Sequence, residues 1–197
     1  PDSVIASGTS PVGFSKYTNS AFARATGFEV TLQKRLTPGL WGRVSYTYMK
    51  AKGTSSTAED GFNLAVDGVQ PPDENIEFPL SWDQRHSLIV DLDYETELLK
   101  FNVLYRLFSP LPFTTPGSDV PNNARRSWRN ILDLKVKLRT YQFLNGTLNP
   151  FFEIRNVLDQ KNLINQPDES GVRAYRLFDP INSHFGRRLR VGMTLNF

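Results

Sequence analysis

Apolar and polar residues alternate along this chain in seven stretches, each with the two-residue period of a β-strand. The clearest lies at the end, where Leu189, Val191, Met193, Leu195 and Phe197 alternate with Arg188, Arg190, Gly192, Thr194 and Asn196. Before it, Leu132, Leu134, Val136 and Leu138 are interleaved with Asp133, Lys135, Lys137 and Arg139. Phe101, Val103, Tyr105 and Leu107 alternate with Asn102, Leu104, Arg106 and Phe108, and Leu88, Val90, Leu92 and Tyr94 with Ile89, Asp91, Asp93 and Glu95. Further upstream, Val44, Tyr46 and Tyr48 alternate with Arg43, Ser45, Thr47 and Met49, and Phe28, Val30 and Leu32 with Glu29, Thr31, Gln33 and Arg35. Between Leu148 and Val157 the pattern is looser, with Phe152 and Ile154 against Glu153 and Arg155. An all-β, antiparallel chain of about seven amphipathic strands is predicted.

Amphipathic strands build both soluble sandwiches and membrane barrels. In a sandwich the charges face water and the apolar set packs on a second sheet; in a barrel the charges face a lumen and the apolar set faces lipid. The connections favour the barrel. Three are short: Leu36–Gly39, Glu95–Glu97 and Phe143–Gly146. Three are long and polar, roughly Ser55–Gln84, Pro110–Arg129 and Gln160–Phe185, and they alternate with the short ones. Structureless loops beyond about 15 residues are uncommon in compact soluble domains, whereas short turns on one rim and long loops on the other are the outer-membrane barrel layout. Trp41, Tyr48, Tyr94, Trp128 and Phe197 near strand ends suit the aromatic girdles of such a wall.

Composition narrows the chemistry. No apolar run is long enough for a membrane-spanning helix. The net charge of +3 is a poor basis for a nucleic-acid partner. Cysteine is absent, which excludes disulfides, thiolate nucleophiles and cysteine metal sites. His86 and His184 are far apart without a spaced carboxylate partner, no G-x-S-x-G elbow occurs, and neither a metal, a cofactor nor an enzymatic activity is expected. The chain starts at Pro1, which reads as a processed or partial polypeptide.

Four motifs in order carry a family resemblance. "GFEVTLQKRLTPGLWGRVSYTYMKAKG" (Gly27–Gly53) resembles late barrel strands of TonB-dependent outer-membrane receptors, and "FPLSWDQRHSLIVDLDY" (Phe78–Tyr94) resembles the strand start that follows them. "FFEIRNVLDQKN" (Phe151–Asn162) is similar to that family's penultimate strand, with Asn156, Val157, Leu158 and Asp159 in its signature, and the chain then ends on an amphipathic strand and Phe197. The resemblance implies an antiparallel transmembrane β-barrel segment, the C-terminal third of a barrel of about 22 strands. Residues 1–20 would end an extracellular loop and residues 21–197 would be the C-terminal strands. It also implies partners: outer-membrane lipid, the remaining strands and plug domain, and a TonB-type energy-coupling protein. Phe197, with Leu195 and Met193, would be the terminal signal read by the barrel-assembly machinery.

In that frame Val30, Val90, Val103, Leu134 and Val136 would face lipid, and Asp91, Asp93, Arg106, Asp133, Lys135, Lys137, Arg188 and Arg190 would line the lumen. Asp91, Asp93 and Glu95 share a face and are of the type that binds Ca²⁺ or transfers protons, but a rigid strand cannot wrap an ion. They are expected as lumen charge, salt-bridged to the plug or to Lys135 and Arg106. The acidic stretch Glu59–Asp83, with Asp60, Asp67, Asp73, Glu74 and Glu77, is of a type that could bind cations and is expected as a solvated extracellular loop. Arg125, Arg126 and Arg129 with Trp128 form a basic, aromatic group at a loop end, able to contact an anionic substrate or lipopolysaccharide, or simply solvated there. The leading expectation is a barrel portion of an active nutrient transporter of the outer membrane. The alternatives are a passive, porin-like or structural barrel segment, and a soluble all-β binding domain. The substrate-binding residues are not legible.

Overall fold

The computed structural model describes residues 22–56, 76–115, 117–118, 120–143, 146–162 and 186–196. Residues 1–20, His184, Phe197, Glu59–Glu74 and most of the last long connection lie outside them. The described chain is all-β, without helix. Its strands are β1 (Ala23–Thr37), β2 (Leu40–Gly53), β3 (Phe78–Pro79), β4 (His86–Glu95), β5 (Leu99–Phe108), β6 (Pro112–Phe113), β7 (Ala124–Arg125), β8 (Arg129–Leu138), β9 (Tyr141–Phe143), β10 (Gly146–Arg155) and β11 (Arg188–Asn196). The seven alternating stretches are the seven long strands. The count of seven was short by β3, β6, β7 and β9, segments of two or three residues, too brief for alternation to show.

The long strands form one antiparallel sheet in the order β1-β2-β4-β5-β8-β10-β11, with β3 added beside β2 and β9 beside β10. The β6-β7 ribbon stands apart from it. Among the described residues the sheet is open, with β1 and β11 as its edges. Among the described residues every substantial contact between strands is a hydrogen-bonded pairing, so no second layer covers either face.

Register gives the sheet its two faces. Leu32 stands opposite Val44, Val44 opposite Val90, Val90 opposite Tyr105 and Tyr105 opposite Leu132. Two rows nearer the short turns, Tyr94, Phe101, Val136, Phe152 and Val191 follow one another across five strands. The pleat sends alternate residues to opposite faces, so Val30, Val90, Val103, Leu134 and Val136 share the apolar one. At the β11 edge this face is open to its surroundings: Val191 is 81% and Met193 65% exposed. Trp41 departs from its expected place. It pairs with Asp93 and Arg35, and the Arg43 guanidinium lies 5.9 Å from its ring, so it belongs to the charged face and not to an outward girdle.

β10 explains its looser pattern. Pro150 sits inside the sheet, where a proline removes a ladder donor. It falls in a gap between the β9 pairing at Gly146–Leu148 and the β8 pairing at Phe151–Ile154. At the neighbouring position, Thr140 Oγ1 donates to Asn149 Oδ1 at 2.5 Å. No ladder bond on that side is sacrificed.

The short connections share one rim and are bonded to each other. Gly39 adopts φ +84°, a left-handed conformation open to glycine at little cost, and its carbonyl accepts the Glu95 amide at 2.7 Å. Thr96 closes the next turn, its Oγ1 accepting the Leu98 and Leu99 amides, and the Arg139 amide reaches the Leu98 carbonyl at 2.8 Å. The first two long connections leave from the opposite rim and are not structureless, since they carry β3 and the β6-β7 ribbon. At Gly39 a Cβ would collide with the Glu95 carbonyl as well as strain the backbone. Gly39→Ala is therefore expected to destabilise the sheet by about 1–2 kcal/mol from backbone strain alone, read as a lower denaturant midpoint of the refolded full-length protein.

Candidate functional site

The charged face is a set of cross-strand and diagonal pairs. On the β1–β5 side, Thr31 Oγ1 and Ser45 Oγ share a hydrogen bond of 3.0 Å, and Arg43 Nη2 reaches Asp91 Oδ2 at 3.4 Å. Asn102 Nδ2 donates to Asp91 Oδ1 at 2.8 Å and to Asp93 Oδ1 at 3.2 Å. On the β5–β11 side, Arg106 pairs with Asp133. Glu153 accepts Arg155 Nε at 2.6 Å and Arg190 Nη1 at 3.3 Å, and Lys135 Nζ lies 5.3 Å from the Phe151 ring centroid.

Asp91, Asp93, Arg106, Asp133, Lys135, Lys137, Arg188 and Arg190 thus occupy one face, but the expected partnership among them is corrected. Arg106 and Lys135 do not serve Asp91 and Asp93. The antiparallel order puts Arg106 beside β8, within reach of Asp133, and Lys135 opposite Glu153 and Asn102. The Asp91 pair instead finds Arg43 across β2 and Asn102 across β5, and Glu95 finds Lys100 at 3.7 Å. Sequence spacing cannot reveal such choices, because strand neighbours are set by topology.

At the long-loop rim the face ends in a buried knot. Asp83 and Leu80 have no exposed surface, and with Ala51 and Phe78 they are packed where β2, β3 and the start of β4 meet. Asp83 Oδ1 accepts the Ala51 amide at 2.8 Å, and Oδ2 accepts Arg85 Nε at 2.9 Å and Arg125 Nη2. Arg125 also donates to the Pro110 carbonyl at 2.9 Å, so one carboxylate joins β2, the β3–β4 connection and the β6-β7 ribbon. Asn122 Nδ2 adds a bond to the Pro79 carbonyl at 2.7 Å. Burial alone would raise the Asp83 pKa; the hydrogen bonds from Ala51, Arg85 and Arg125, with the Arg85 charge, outweigh it and hold the group below its ordinary value of 3.8.

This knot corrects two expectations. Asp83 is not part of a solvated acidic loop, and Glu77 of the same stretch bonds Arg24 at 2.9 Å. Nor do Arg125, Arg126, Arg129 and Trp128 make one basic patch. Arg125 is engaged by Asp83, the Arg129 guanidinium lies 4.6 Å from the Phe108 ring on the charged face, and Trp128 stacks toward His86 with ring centroids 6.4 Å apart. His86 itself lies among rings, and its Nδ1 shares a 2.8 Å hydrogen bond with Tyr46 Oη. The sequence held one hint of the knot: Arg85 follows Asp83 at the two-residue spacing of an extended segment.

A second junction was legible as a motif. Asn156 and Asp159 both adopt left-handed φ, 52° and 51°, and the Asp159 amide bonds the Asn156 carbonyl at 2.9 Å. The Asn156 amide reaches Asp133 Oδ1 at 2.9 Å, and Asp159 Oδ1 accepts the Arg187 amide at 2.8 Å. The turn therefore holds the end of β10 against β8 and sets the start of β11.

Because the folded Asp83 pKa is depressed, its contribution to stability is complete above the unfolded value and is lost as pH falls below about 3.8. The Ala51 amide protection factor in hydrogen exchange should drop there, and Asp83→Asn should lower it at neutral pH by about tenfold or more, as hydrogen bonds to a charged group are worth roughly 1.5–3 kcal/mol. The variant should also lose the acid-dependent step. No protein-family model matches the chain, and no curated protein matches it either.

Proposed function

We propose that this chain is a portion of the wall of an outer-membrane β-barrel, the C-terminal part of a TonB-dependent receptor for active nutrient uptake. The observation that carries the reading is the division of a single-layer sheet into an uncovered apolar face and an internally paired charged face. In water such a sheet would leave the rows through Val90 and Val136 uncompensated. Among the described residues the buried apolar side chains are Ala51, Phe78, Leu80 and, in the β6-β7 ribbon, Pro112, all away from the rows through Val90 and Val136, so the face has no core to join. This disfavours a soluble domain. Lipid provides the missing contact.

Dimensions agree. Leu40 to Tyr48, His86 to Tyr94 and Leu99 to Leu107 are each nine residues, close to the roughly 9–11 that a tilted strand needs to cross the hydrocarbon. Tyr94 lies toward the short-turn end of this band, and Tyr48 and Trp128 toward the other. The charged face would then look into a lumen closed by strands beyond β1 and β11, in contact with a plug. The short turns would be periplasmic. The specific family, the plug and the TonB-type partner rest on the four sequence motifs.

Two measurements on the full-length protein test this. With a fluorescent label reconstituted into vesicles, position 136 should be quenched by a lipid-soluble quencher and position 137 should not; quenching at neither, or at 137 alone, overturns the wall assignment. In cells, crosslinking should capture a TonB-type inner-membrane protein, and its failure would leave a passive barrel. Val136→Arg should destabilise the inserted protein by roughly 2–4 kcal/mol near the midplane, and Lys137→Ser by far less, measured by denaturant titration in vesicles.

A further inference from the structure

The charged face is not evenly charged. On it, β1, β2 and β4 present Glu29, Asp91, Asp93 and Glu95 together with Arg35 and Arg43. β5 and β8 present Lys100, Arg106, Arg129, Lys135 and Lys137, and β10 and β11 add Arg155, Arg188 and Arg190. The carboxylates that answer this second group are Asp133 and Glu153, with Glu95 reaching Lys100 from β4 at 3.7 Å. Lys100 stands directly opposite Lys137, and Arg155 opposite Arg188, placements that cost a sheet stability. Internal pairing therefore leaves the β5–β11 half of the face positive. A cleft lined by one sign of charge and bounded by low-dielectric walls concentrates ions of the other sign.

Toward the long-loop rim, apolar residues interrupt the charge. Ile89 stands opposite Arg106 and Arg106 opposite Ile131, while Leu104 lies one row below and Phe108 one row above. All four apolar residues are half-buried, and on this face lipid cannot cover what remains exposed. Arg106 is held at the centre of the patch. Its Nη2 donates to Asp133 Oδ2, while Asp133 Oδ1 accepts the Asn156 amide at 2.9 Å, so the carboxylate is itself fixed by the turn after β10. The Arg106 side chain is still 33% exposed. Arg129 is opposite Phe108, with its guanidinium 4.6 Å from that ring. This makes Arg129 a diagonal neighbour of Arg106, at a separation of roughly 7–8 Å between backbone positions. Two guanidinium forks so placed can close on one oxyanion, a group they match in plane and donor spacing. Small-molecule sites have this make-up, apolar lining with a few fixed polar groups.

We propose that Arg106 and Arg129, with Ile89, Leu104, Ile131 and Phe108, form a binding site for a small organic anion: a carboxylate or phosphate group on an apolar body. The two arginines hold the oxyanion, and the apolar residues take the body. Arg106 is two residues from the long-loop end of β5 and Arg129 is the first residue of β8, so a solute arriving past the long connections meets this site before the lysines at the short-turn end. The site rests on the reading of the sheet as a barrel wall whose charged face lines the lumen.

The test titrates full-length protein in neutral detergent micelles with phenyl phosphate, inorganic phosphate and benzyl alcohol, by equilibrium dialysis against protein-free micelles. Phenyl phosphate joins an oxyanion to a ring and should bind saturably. Inorganic phosphate lacks the ring and benzyl alcohol lacks the charge, so each should bind at least about tenfold more weakly. Arg129→Gln should weaken phenyl phosphate by about tenfold, and Lys52→Gln, on the opposite face, should leave it unchanged. Arg129→Lys keeps the charge without the fork and should bind more weakly than wild type; this variant decides the matter if the glutamine variant does not fold. No saturable binding of phenyl phosphate, equal affinity for inorganic phosphate or benzyl alcohol, or wild-type affinity in the folded Arg129 variants overturns the proposal. Quenching from position 136 of the wild-type protein separates the two failures: lost quenching refutes the barrel wall, whereas retained quenching without phenyl phosphate binding refutes the anion site alone.

Discussion

A slip of one residue in any long strand would turn its valines and leucines onto the charged face and its lysines and aspartates onto the apolar one, because the pleat repeats every two residues. The sheet holds a register in which Val136 lies between Phe101 and Phe152, and Leu134 between Val103 and Ile154. Both faces depend on that register. The bonded rim of short turns helps to fix it, since the Gly39, Thr96 and Leu98 contacts tie successive strand ends before the long connections depart.

The charged face is stabilised by pairing and not by burial. Cross-strand pairs of this kind contribute roughly 0.2–1 kcal/mol each, and here several are linked: Arg43–Asp91–Asn102–Asp93 on one side, Arg155–Glu153–Arg190 on the other. Such a face carries charges fixed in place by their partners. Its rigidity also argues against ion capture by Asp91 and Asp93: both Asp91 oxygens are engaged by Arg43 and Asn102, and Asn102 also holds Asp93 Oδ1.

The two rims divide the work. One is held by backbone bonds within and between tight turns. The other is held by side chains: Asp83 with two arginines, Asn122 on Pro79, and Asn162 exchanging two hydrogen bonds of 2.9 Å with the Asn130 backbone. Side chains thus fasten the described bases of these connections to the sheet.

The sequence by itself determined the seven long strands, their two faces and the alternation of short and long connections, because each is a local property of residue order. It placed Val136 and Lys137 on opposite faces before any coordinate was known. The shortest elements stayed hidden: β9 and the β6-β7 ribbon are too short for a period, while Pro150 only blurred the alternation of β10. Partners were decided only by the tertiary structure. Asp83 read as one acid in an acidic stretch until folding brought Arg125, 42 residues away, onto its carboxylate, and Trp41 read as an outward aromatic until register set it against Asp93. Arg106 met Asp133 and not Asp91 for the same reason. Which strands adjoin, and which loop folds over which strand, depend on the closure of long connections, and no periodicity within a single strand encodes that.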